Sequence, residues 1–359
     1  MNKALFWISS LWLWHATRTL VIINYYLDKW YEIDIISFWN TLNYLKIELN
    51  WKKINFIELE DYPLLERWNG IKFYYYLIQD LIKTNITIRK EKKFIKNIDN
   101  KYDFIFSDGR YWLYSKEIPC FLLTHQLSFI MPKRLWLFKL ISDLFNYWNF
   151  KRFTFIFIPD YENINESLAW KLSHPIRINK INHKYIWILS SFNNNTNDEE
   201  IDYLFSISWY LLDEKKKFID RLINEAKTLS GKKVFILWDT SEKYIKNIEN
   251  NITIYSFVNW EEREKLFLKS KIIISRTWYT TIMDLAELWK KAILFPTQNQ
   301  TEQEYLARYL NENKLYVIWS EESELNNLVS KLDNSNIYNP IHKSQKSIIE
   351  IDNIINKYL

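Results

Sequence analysis

A histidine follows the first apolar segment of the chain, within SLWLWHATR at 10–18. Residues 4–10 are predicted to form a buried strand and residues 15–29 a helix, so His15 lies at the turn between them. Ligands of parallel α/β sheets bind at the carboxyl edge of the strands. An imidazole there can accept a proton from a hydroxyl group near neutral pH. We therefore predict that His15 is catalytic, the alternative being a histidine that caps the helix or forms a hydrogen bond with a loop carbonyl.

Two further polar groups follow predicted strands. The strand at 101–108 ends on Asp108, and the strand at 118–126 ends on His125 and Gln126. In a parallel sheet both ends lie at the same edge as His15. Asp108 is predicted to orient a histidine or to bind an acceptor, and His125 is a second candidate base. For each of them the alternative is a hydrogen-bonded loop anchor.

The segment SRTWYTTIMDLAELWKKAILFPTQNQTEQEYLARYL at 275–310 combines the groups that a nucleotide sugar needs. It predicts a strand, a turn, a helix from Tyr279, a second strand and a second helix. A helix N-terminus that carries threonine hydroxyls suits a diphosphate, a carboxylate can bind ribose hydroxyls, and side-chain amides can recognise sugar hydroxyls. The predicted donor-binding residues in this segment are Arg276, Thr277, Trp278, Thr280, Thr281, Asp284, Gln300, Glu302 and Gln303.

Strands and helices alternate through both halves of the chain, which predicts two parallel, helix-flanked sheets. The polar, turn-rich stretch between the halves predicts a linker. The predicted organisation is a first Rossmann-like domain at 1–160, a linker at 161–186, a second Rossmann-like domain at 187–340, and a C-terminal helix at 341–359 that packs back on the first domain.

Composition restricts the function classes. The chain has 359 residues, 48% hydrophobic and 25% charged, and a net charge of +5. This charge is too small and too dispersed to predict nucleic-acid binding. The single cysteine, Cys120, excludes an internal disulfide and favours a reducing cytoplasm. No stretch of the sequence is long and apolar enough to predict a membrane span. No cluster of residues has metal-ligand spacing, and we predict that the protein uses neither a metal nor a cofactor.

Tryptophan and glycine usage is abnormal, with 18 tryptophans and 3 glycines. At an average usage of about 7%, roughly 25 glycines would be expected. Trp30 and Trp289 follow predicted helices, where glycine is the usual C-cap, and Trp51 and Trp68 occupy turn settings. We hypothesise that most tryptophans other than Trp148 are glycine in the native protein. Some bacteria read the UGA codon as glycine, and translation of such a gene with a code that reads UGA as tryptophan would produce this pattern. The alternative is a genuinely tryptophan-rich protein.

The segment 275–310 resembles the donor-binding region of GT-B glycosyltransferases, in particular the group related to the enzyme that adds N-acetylglucosamine to form lipid II. In bacterial relatives of that group, the recurring pattern is SRSGYTTIMDLA followed by LGKKAILIPTPGQTEQEYLA. Trp278 and Trp289 fall on glycines of this pattern. Asp284 falls on a ribose-binding glutamate and Gln303 on a sugar-binding glutamine.

The resemblance extends over nearly the whole chain. His15 matches a loop histidine whose neighbouring glycines correspond to Trp12 and Trp14, and Ser208–Trp209 resembles a Ser–Gly pair that contacts the diphosphate. It implies a GT-B fold with a cleft between two Rossmann-like domains. It also implies inverting transfer of a hexose or N-acetylhexosamine from a UDP sugar, without metal, to an acceptor glycan or a lipid-linked sugar. Asp284 in place of glutamate, and Glu304 in place of a second glutamine, leave the donor sugar open.

Two other functions compatible with this fold remain open, a nucleotide-sugar 2-epimerase and a non-catalytic nucleotide-sugar-binding protein. A dinucleotide-dependent dehydrogenase is disfavoured, because the second strand ends in Ser37–Phe38–Trp39 rather than in an acidic residue. The segment 129–145 is apolar and carries Lys133, Arg134 and Lys139. It predicts peripheral contact with the inner face of a membrane, in a role in cell-envelope glycan synthesis, or else a helix that packs on its own domain.

Overall fold

The computed structural model describes residues 2–11, 13–50, 52–63, 71–98, 101–130, 136–175, 178–192, 200–207, 212–239, 243–298, 300–320, 323–332 and 342–359. The chain divides into two compact units. The first comprises Met1–Ser191 and His342–Leu359, and the second comprises Phe192–Ile341. Each unit is built around a seven-stranded sheet, so the GT-B fold class predicted from the sequence is confirmed.

The described residues of the N-terminal part of the first unit form seven strands and four α-helices. The strands are β1 (Lys3–Ile8), β2 (Glu32–Ser37), β3 (Ile54–Glu58), β4 (Phe104–Asp108), β5 (Cys120–Leu123), β6 (Phe155–Ile158) and β7 (His183–Tyr185). The helices are α1 (Leu13–Asp28), α2 (Trp39–Glu48), α3 (Ile71–Lys96) and α4 (Trp136–Phe150).

The first sheet is parallel throughout and has the order β3-β2-β1-β4-β5-β6-β7. Its central strands are apolar on both faces, as expected for a sheet covered by helices on both sides. Leu5 on β1, Ile105 on β4 and Leu122 on β5 are all fully buried in one core. The chain leaves β1 toward β2 on one side, while β4 joins β1 on the other. A ligand site is expected where the strand order reverses in this way.

In the second unit, the part of the chain that the structure describes forms seven further strands and five α-helices. The strands are β8 (Ile201–Ser206), β9 (Lys233–Ile236), β10 (Ile245–Ile248), β11 (Ile252–Tyr255), β12 (Ser270–Arg276), β13 (Lys291–Phe295) and β14 (Val317–Ile318). The helices are α5 (Leu212–Lys227), α6 (Trp260–Leu268), α7 (Tyr279–Leu288), α8 (Thr301–Glu312) and α9 (Leu325–Val329).

The second sheet has the order β10-β11-β9-β8-β12-β13-β14, with β10 antiparallel to its neighbour and the other pairs parallel. Its core contains Phe205 on β8 and Phe235 on β9, whose rings stack with centroids 4.1 Å apart. The strand order reverses between β8 and β12. The turn after β12, which carries Thr277 and Trp278, therefore lies at the expected ligand-binding edge of this sheet.

The predicted linker at 161–186 is wrong, because this stretch belongs to the first unit and contributes β7 to its sheet. The β7 segment, HKY, has only three residues and is too polar to be recognised as a strand from its sequence pattern. The last helix, α10 (Ser344–Ile355), also belongs to the first unit. The Ser347 hydroxyl donates to the Ile188 carbonyl at 2.6 Å, and Asp352 accepts a hydrogen bond from Tyr25.

Backbone conformation bears on the tryptophans. Nine described non-glycine residues have positive φ, and six of these are tryptophan: Trp30, Trp39, Trp170, Trp187, Trp238 and Trp289. A bulky side chain rarely adopts this region, because its Cβ crowds the backbone. Trp289 has φ 54° and caps the C-terminus of α7, as predicted for a glycine-type position. Trp51 and Trp68 lie outside the described residues.

Candidate functional site

His15 lies in the first turn of α1, where β1 ends and the sheet opens. Its ring is stacked on that of Trp14, with 6.0 Å between ring centroids. Trp14 belongs to the helix rather than to a preceding loop, and its carbonyl accepts a hydrogen bond from the Thr17 hydroxyl at 3.0 Å. The other predicted glycine-loop position, Trp12, lies outside the described residues.

Asp108, the last residue of β4, meets His15 as the parallel register predicts. Its Oδ1 lies 2.7 Å from His15 Nδ1, and its Oδ2 accepts hydrogen bonds from Arg18 Nε at 2.7 Å and from the Thr19 hydroxyl at 2.6 Å. The Asp108 carboxylate is fully buried. Burial alone would raise its pKa, but the Arg18 guanidinium and then His15 outweigh this and hold the pKa well below its usual range. Asp108 is therefore an ionised carboxylate at neutral pH.

His125 follows β5, the neighbour of β4, and joins the same group through Arg18. Arg18 Nη1 lies 3.3 Å from His125 Nδ1, and Arg18 Nη2 lies 3.1 Å from His15 Nδ1. We define these four residues, His15, Arg18, Asp108 and His125, as the histidine cluster. Arg18 was missed as a site residue. The sequence feature that could have identified Arg18 is its position three residues after His15, because this spacing places both side chains on one face of a helix.

Gly109 lets the histidine cluster pack closely. It follows Asp108 with φ +72°, and a Cβ added there would lie 2.7 Å from His15 Cε1 and 3.2 Å from Ser9 Cβ. Any side chain at this position would displace the imidazole and would also strain the backbone. The glycine is therefore required for the position of His15 as well as for the turn.

A second buried polar network supports the turn after β1. Asp61 accepts hydrogen bonds from the Ser9 and Ser10 hydroxyls, each at 3.0 Å, and forms an ion pair with Arg110. Arg110 Nε also donates to Glu91 at 2.8 Å. Burial raises the pKa of the Glu91 carboxyl, although Arg110 opposes the shift. This network anchors the turn without contacting the imidazole of His15.

In the second unit, the turn after β12 leads into the N-terminus of α7. No side chain caps this helix, whose N-cap residue is Trp278. Thr277 is fully buried, and its hydroxyl has no hydrogen-bond partner among the described residues. Thr280 and Thr281 lie in the first turn and are buried. An uncapped helix N-terminus beside an unsatisfied hydroxyl is suited to binding an anion.

Two predicted donor residues are held by other side chains. The Arg276 guanidinium packs over the rings of Phe218 and Phe295, 5.0 and 4.8 Å from their centroids, and donates to the Pro296 carbonyl at 3.2 Å. Asp284 is buried on α7 and forms an ion pair with Arg263 of α6. The structure thus places Arg276 against the core of its unit and ties Asp284 to a neighbouring helix.

The predicted sugar-reading amides lie together at the start of α8, with Gln300 at its N-cap and Gln303 in its first turn. Gln303 is fully buried, and its Oε1 accepts hydrogen bonds from the Thr297 amide at 2.8 Å and from the Thr297 hydroxyl at 3.0 Å. Its Nε2 donates to Gln300. Gln303 therefore shapes the loop before α8 from within. Glu302 lies half-buried in the first turn of α8. The two remaining predicted donor-binding residues, Ser208 and Trp209, lie outside the described residues.

Among the residues that the structure describes, no group of three histidine, cysteine, aspartate or glutamate side chains has the arrangement of a metal site. No helix within the described ranges is long and apolar enough to cross a membrane.

Comparison with known proteins identifies the class of the chain. Residues 216–354 match the family model of the glycosyltransferase family 28 C-terminal domain. A search of curated protein sequences finds no significant match.

Solved structures share the fold over nearly the full length. The calicheamicin glycosyltransferase CalG4 is 9% identical with a TM-score of 0.63, and the alignment covers 99% of this chain and 95% of CalG4. MurG of Acinetobacter baumannii is 13% identical with a TM-score of 0.56, covering 99% of this chain and 100% of MurG. The spinosyn rhamnosyltransferase SpnG, solved in complex with thymidine diphosphate, is 10% identical with a TM-score of 0.59, covering 99% and 96%.

The fold and the family match agree. The chain is a glycosyltransferase with the GT-B fold, and its residues 216–354 match the family 28 C-terminal domain.

Proposed function

We propose that the chain transfers a hexose or N-acetylhexosamine from a UDP sugar to an acceptor hydroxyl, with inversion at the anomeric carbon and without a metal ion or a cofactor. The observation that carries this proposal is the contact of 2.7 Å between His15 Nδ1 and the ionised Asp108. A carboxylate at one ring nitrogen orients the imidazole and leaves the lone pair of the other nitrogen to accept a proton. Proton removal from an acceptor hydroxyl is the step that an inverting transfer requires of a base.

The second unit supplies the features that suit the leaving nucleoside diphosphate. The uncapped N-terminus of α7 presents backbone N–H groups, and the Thr277 hydroxyl is buried without a partner among the described residues. These groups would stabilise the negative charge that develops on the departing diphosphate. The bound thymidine diphosphate of SpnG supports the same class of ligand. Thr280, Thr281 and Asp284 complete the proposed donor site.

The test is a transfer assay that uses UDP-glucose, UDP-galactose and UDP-N-acetylglucosamine, with a bacterial lipid extract as acceptor. We expect UDP release together with a glycosylated lipid product, and His15→Asn should remove both. Consumption of UDP-N-acetylglucosamine without any acceptor would favour the 2-epimerase. Binding of all three donors without turnover would favour a binding protein. Either of these outcomes would overturn the proposed reaction.

We also propose that the chain contacts the inner face of the cytoplasmic membrane through α4, where it would reach a lipid-linked acceptor. Leu140, Leu144, Phe145 and Trp148 are 52%, 40%, 51% and 64% exposed on this helix. Positions 140, 144 and 148 share one face by their spacing of four residues. Exposed apolar groups beside basic ones are typical of a helix that lies in a membrane interface, and Lys151 follows α4 directly.

Cosedimentation with phosphatidylglycerol and phosphatidylcholine vesicles tests this contact. The double variant Leu144→Glu/Phe145→Glu should lose binding to the anionic vesicles. Ile245→Glu is the matched control, because Ile245 is 60% exposed on β10 in the second unit. Equal binding of all three proteins would exclude α4 as the contact.

We propose, finally, that the tryptophans at positive φ stand where the native protein has glycine. Among the described residues, six of the nine non-glycine residues with positive φ are tryptophan. A residue with a Cβ is sterically disfavoured at positive φ, whereas glycine is not. Mass spectrometry of the native protein tests the hypothesis at each position. Peptides that carry glycine at 30, 187 and 289 are expected, and peptides that carry tryptophan there would overturn it.

A further inference from the structure

Arg18 is the centre of the histidine cluster. It is 2% exposed and lies on α1, one turn after His15. Its Nε and Nη2 both donate to Asp108, and Nη1 and Nη2 approach the Nδ1 atoms of His125 and His15 at 3.3 and 3.1 Å. A guanidinium has five N–H donors and no acceptor, and it stays charged in proteins. Each imidazole nitrogen that faces it is therefore constrained in protonation.

His125 has only one tautomer compatible with this contact. Its Nδ1 faces Arg18 Nη1, so Nδ1 must accept the hydrogen bond and the ring proton of the neutral imidazole must lie on Nε2. Protonation of Nδ1 would place an N–H group against a guanidinium N–H in a site that is 4% exposed. His125 therefore cannot gain a proton at Nδ1 without breaking its link to Arg18.

His15 has the opposite preference. Its Nδ1 lies closer to Asp108 Oδ1, at 2.7 Å, than to Arg18 Nη2, at 3.1 Å. Because the Asp108 carboxylate is ionised, it can only accept, so Nδ1–H donates to it. The Nε2 atom of His15 then carries the lone pair. Among the described residues, the titratable groups in contact with this ring are Asp108 of β4 and Arg18 of α1. His125 contacts Arg18 rather than the ring itself.

We infer that Asp108 fixes the Nδ1–H form of His15 and Arg18 fixes the Nε2–H form of His125, so that His15 alone is the base and His125 is a positioning residue that keeps Arg18 on Asp108. The assignment of the base rests on the proposed transfer reaction. In that reaction, the acceptor hydroxyl gives its proton to His15 Nε2 as its oxygen bonds to the anomeric carbon. The bond from that carbon to the diphosphate oxygen breaks, and the diphosphate leaves with the electron pair.

The tautomers can be measured without any transfer activity. The chain has five histidines, so long-range ¹H–¹⁵N spectra of ¹⁵N-histidine-labelled protein are simple, and His15→Gln and His125→Gln assign the two sets of signals by their loss. At neutral pH we expect the Nδ1–H form for His15 and the Nε2–H form for His125. The same tautomer on both rings, or Nδ1–H on His125, would overturn the inference even if transfer is confirmed. Arg18→Met should release His125 from its single form.

Kinetic rescue separates a positioning role from a catalytic one. Asparagine can place its Oδ1 near the position of Nδ1 and accept from Arg18, but it has no basic nitrogen. We expect His125→Asn to keep kcat within about threefold, with an unchanged pH profile, while His125→Leu loses about tenfold or more. His15→Asn and His15→Leu should lose activity equally, by about 10²-fold or more. If His125→Asn is as inactive as His125→Leu, His125 is not a positioning residue of this kind.

Discussion

The ligand-binding edges of the two sheets differ in how completely their polar groups are satisfied. In the first unit, the Asp108 carboxylate contacts His15, Arg18 and Thr19, so its charge is compensated within the protein. In the second unit, the Thr277 hydroxyl at the uncapped N-terminus of α7 is buried without a partner among the described residues. A base must be oriented before the substrate arrives, whereas a donor site can leave groups for its ligand to satisfy. This contrast is the reason that we propose proton transfer in the first unit and binding of the leaving group in the second.

The largest expected effect is that of removing the base. His15→Ala should lower kcat by about 10³-fold, because proton removal from the acceptor then depends on water. UDP binding should stay unchanged, since the proposed donor groups lie in the second unit. Steady-state transfer rates and UDP titration measure the two effects. A variant that retains more than a tenth of the wild-type kcat would show that His15 is not the base.

Displacing the imidazole without removing it should have the next largest effect. Gly109→Ala places a Cβ 2.7 Å from His15 Cε1, and we expect kcat to fall by about 10²-fold. The positive φ also destabilises the variant by about 1–2 kcal/mol. Gly231→Ala is the matched control, because Gly231 has φ +89° but its added Cβ would meet Asp202. Thermal unfolding should show a loss for both variants, and only Gly109→Ala should lose activity beyond that.

A pair of threonine variants sharpens the contrast between the two edges. Thr277→Val removes a hydroxyl without a described partner, so folding should be unaffected while UDP affinity falls by about tenfold. Thr19→Val removes the 2.6 Å hydrogen bond to buried Asp108 and should cost about 1–3 kcal/mol of stability, with UDP affinity unchanged. Chemical denaturation and calorimetry measure both quantities. If Thr277→Val were the more destabilised of the two, the hydroxyl would have a structural partner instead.

The smallest effect concerns the backbone. Trp30 is 84% exposed with φ 63°, so Trp30→Gly removes little packing and relieves a strain of about 1–2 kcal/mol. Trp148 is 64% exposed within α4, where glycine instead costs about 0.5–1 kcal/mol. Thermal unfolding should therefore show a gain for the first variant and a loss for the second. A loss for both variants would remove the conformational argument for glycine at position 30.

Much of the first site could be predicted from the sequence, because it depends on local order. Strands that end on Asp108 and just before His125 run parallel to β1, so their ends meet at the edge where His15 lies. Arg18 could not be assigned in the same way. Its partners Asp108 and His125 are 90 and 107 residues away in the chain, and no periodicity reveals such a pairing.

In the donor segment 275–310, the backbone elements could be predicted from the sequence but the partners of the side chains could not. Its strand, turn and helix were predicted within one or two residues, because hydrophobic periodicity and helix signals are local. The orientation of its polar side chains was not predictable. Gln303 binds Thr297 in the loop before its helix, and Asp284 pairs with Arg263, 21 residues before it. Side-chain type indicates what a residue can bind, whereas tertiary packing decides which partner it meets.

The most direct test of the account is calorimetric titration of UDP into the wild-type chain, His15→Asn and Thr277→Val under identical conditions. We predict equal affinity for the wild type and His15→Asn, and affinity about tenfold lower for Thr277→Val. Absence of UDP binding to all three proteins, or loss of binding in His15→Asn alone, would contradict the assignment of the nucleotide to the second unit.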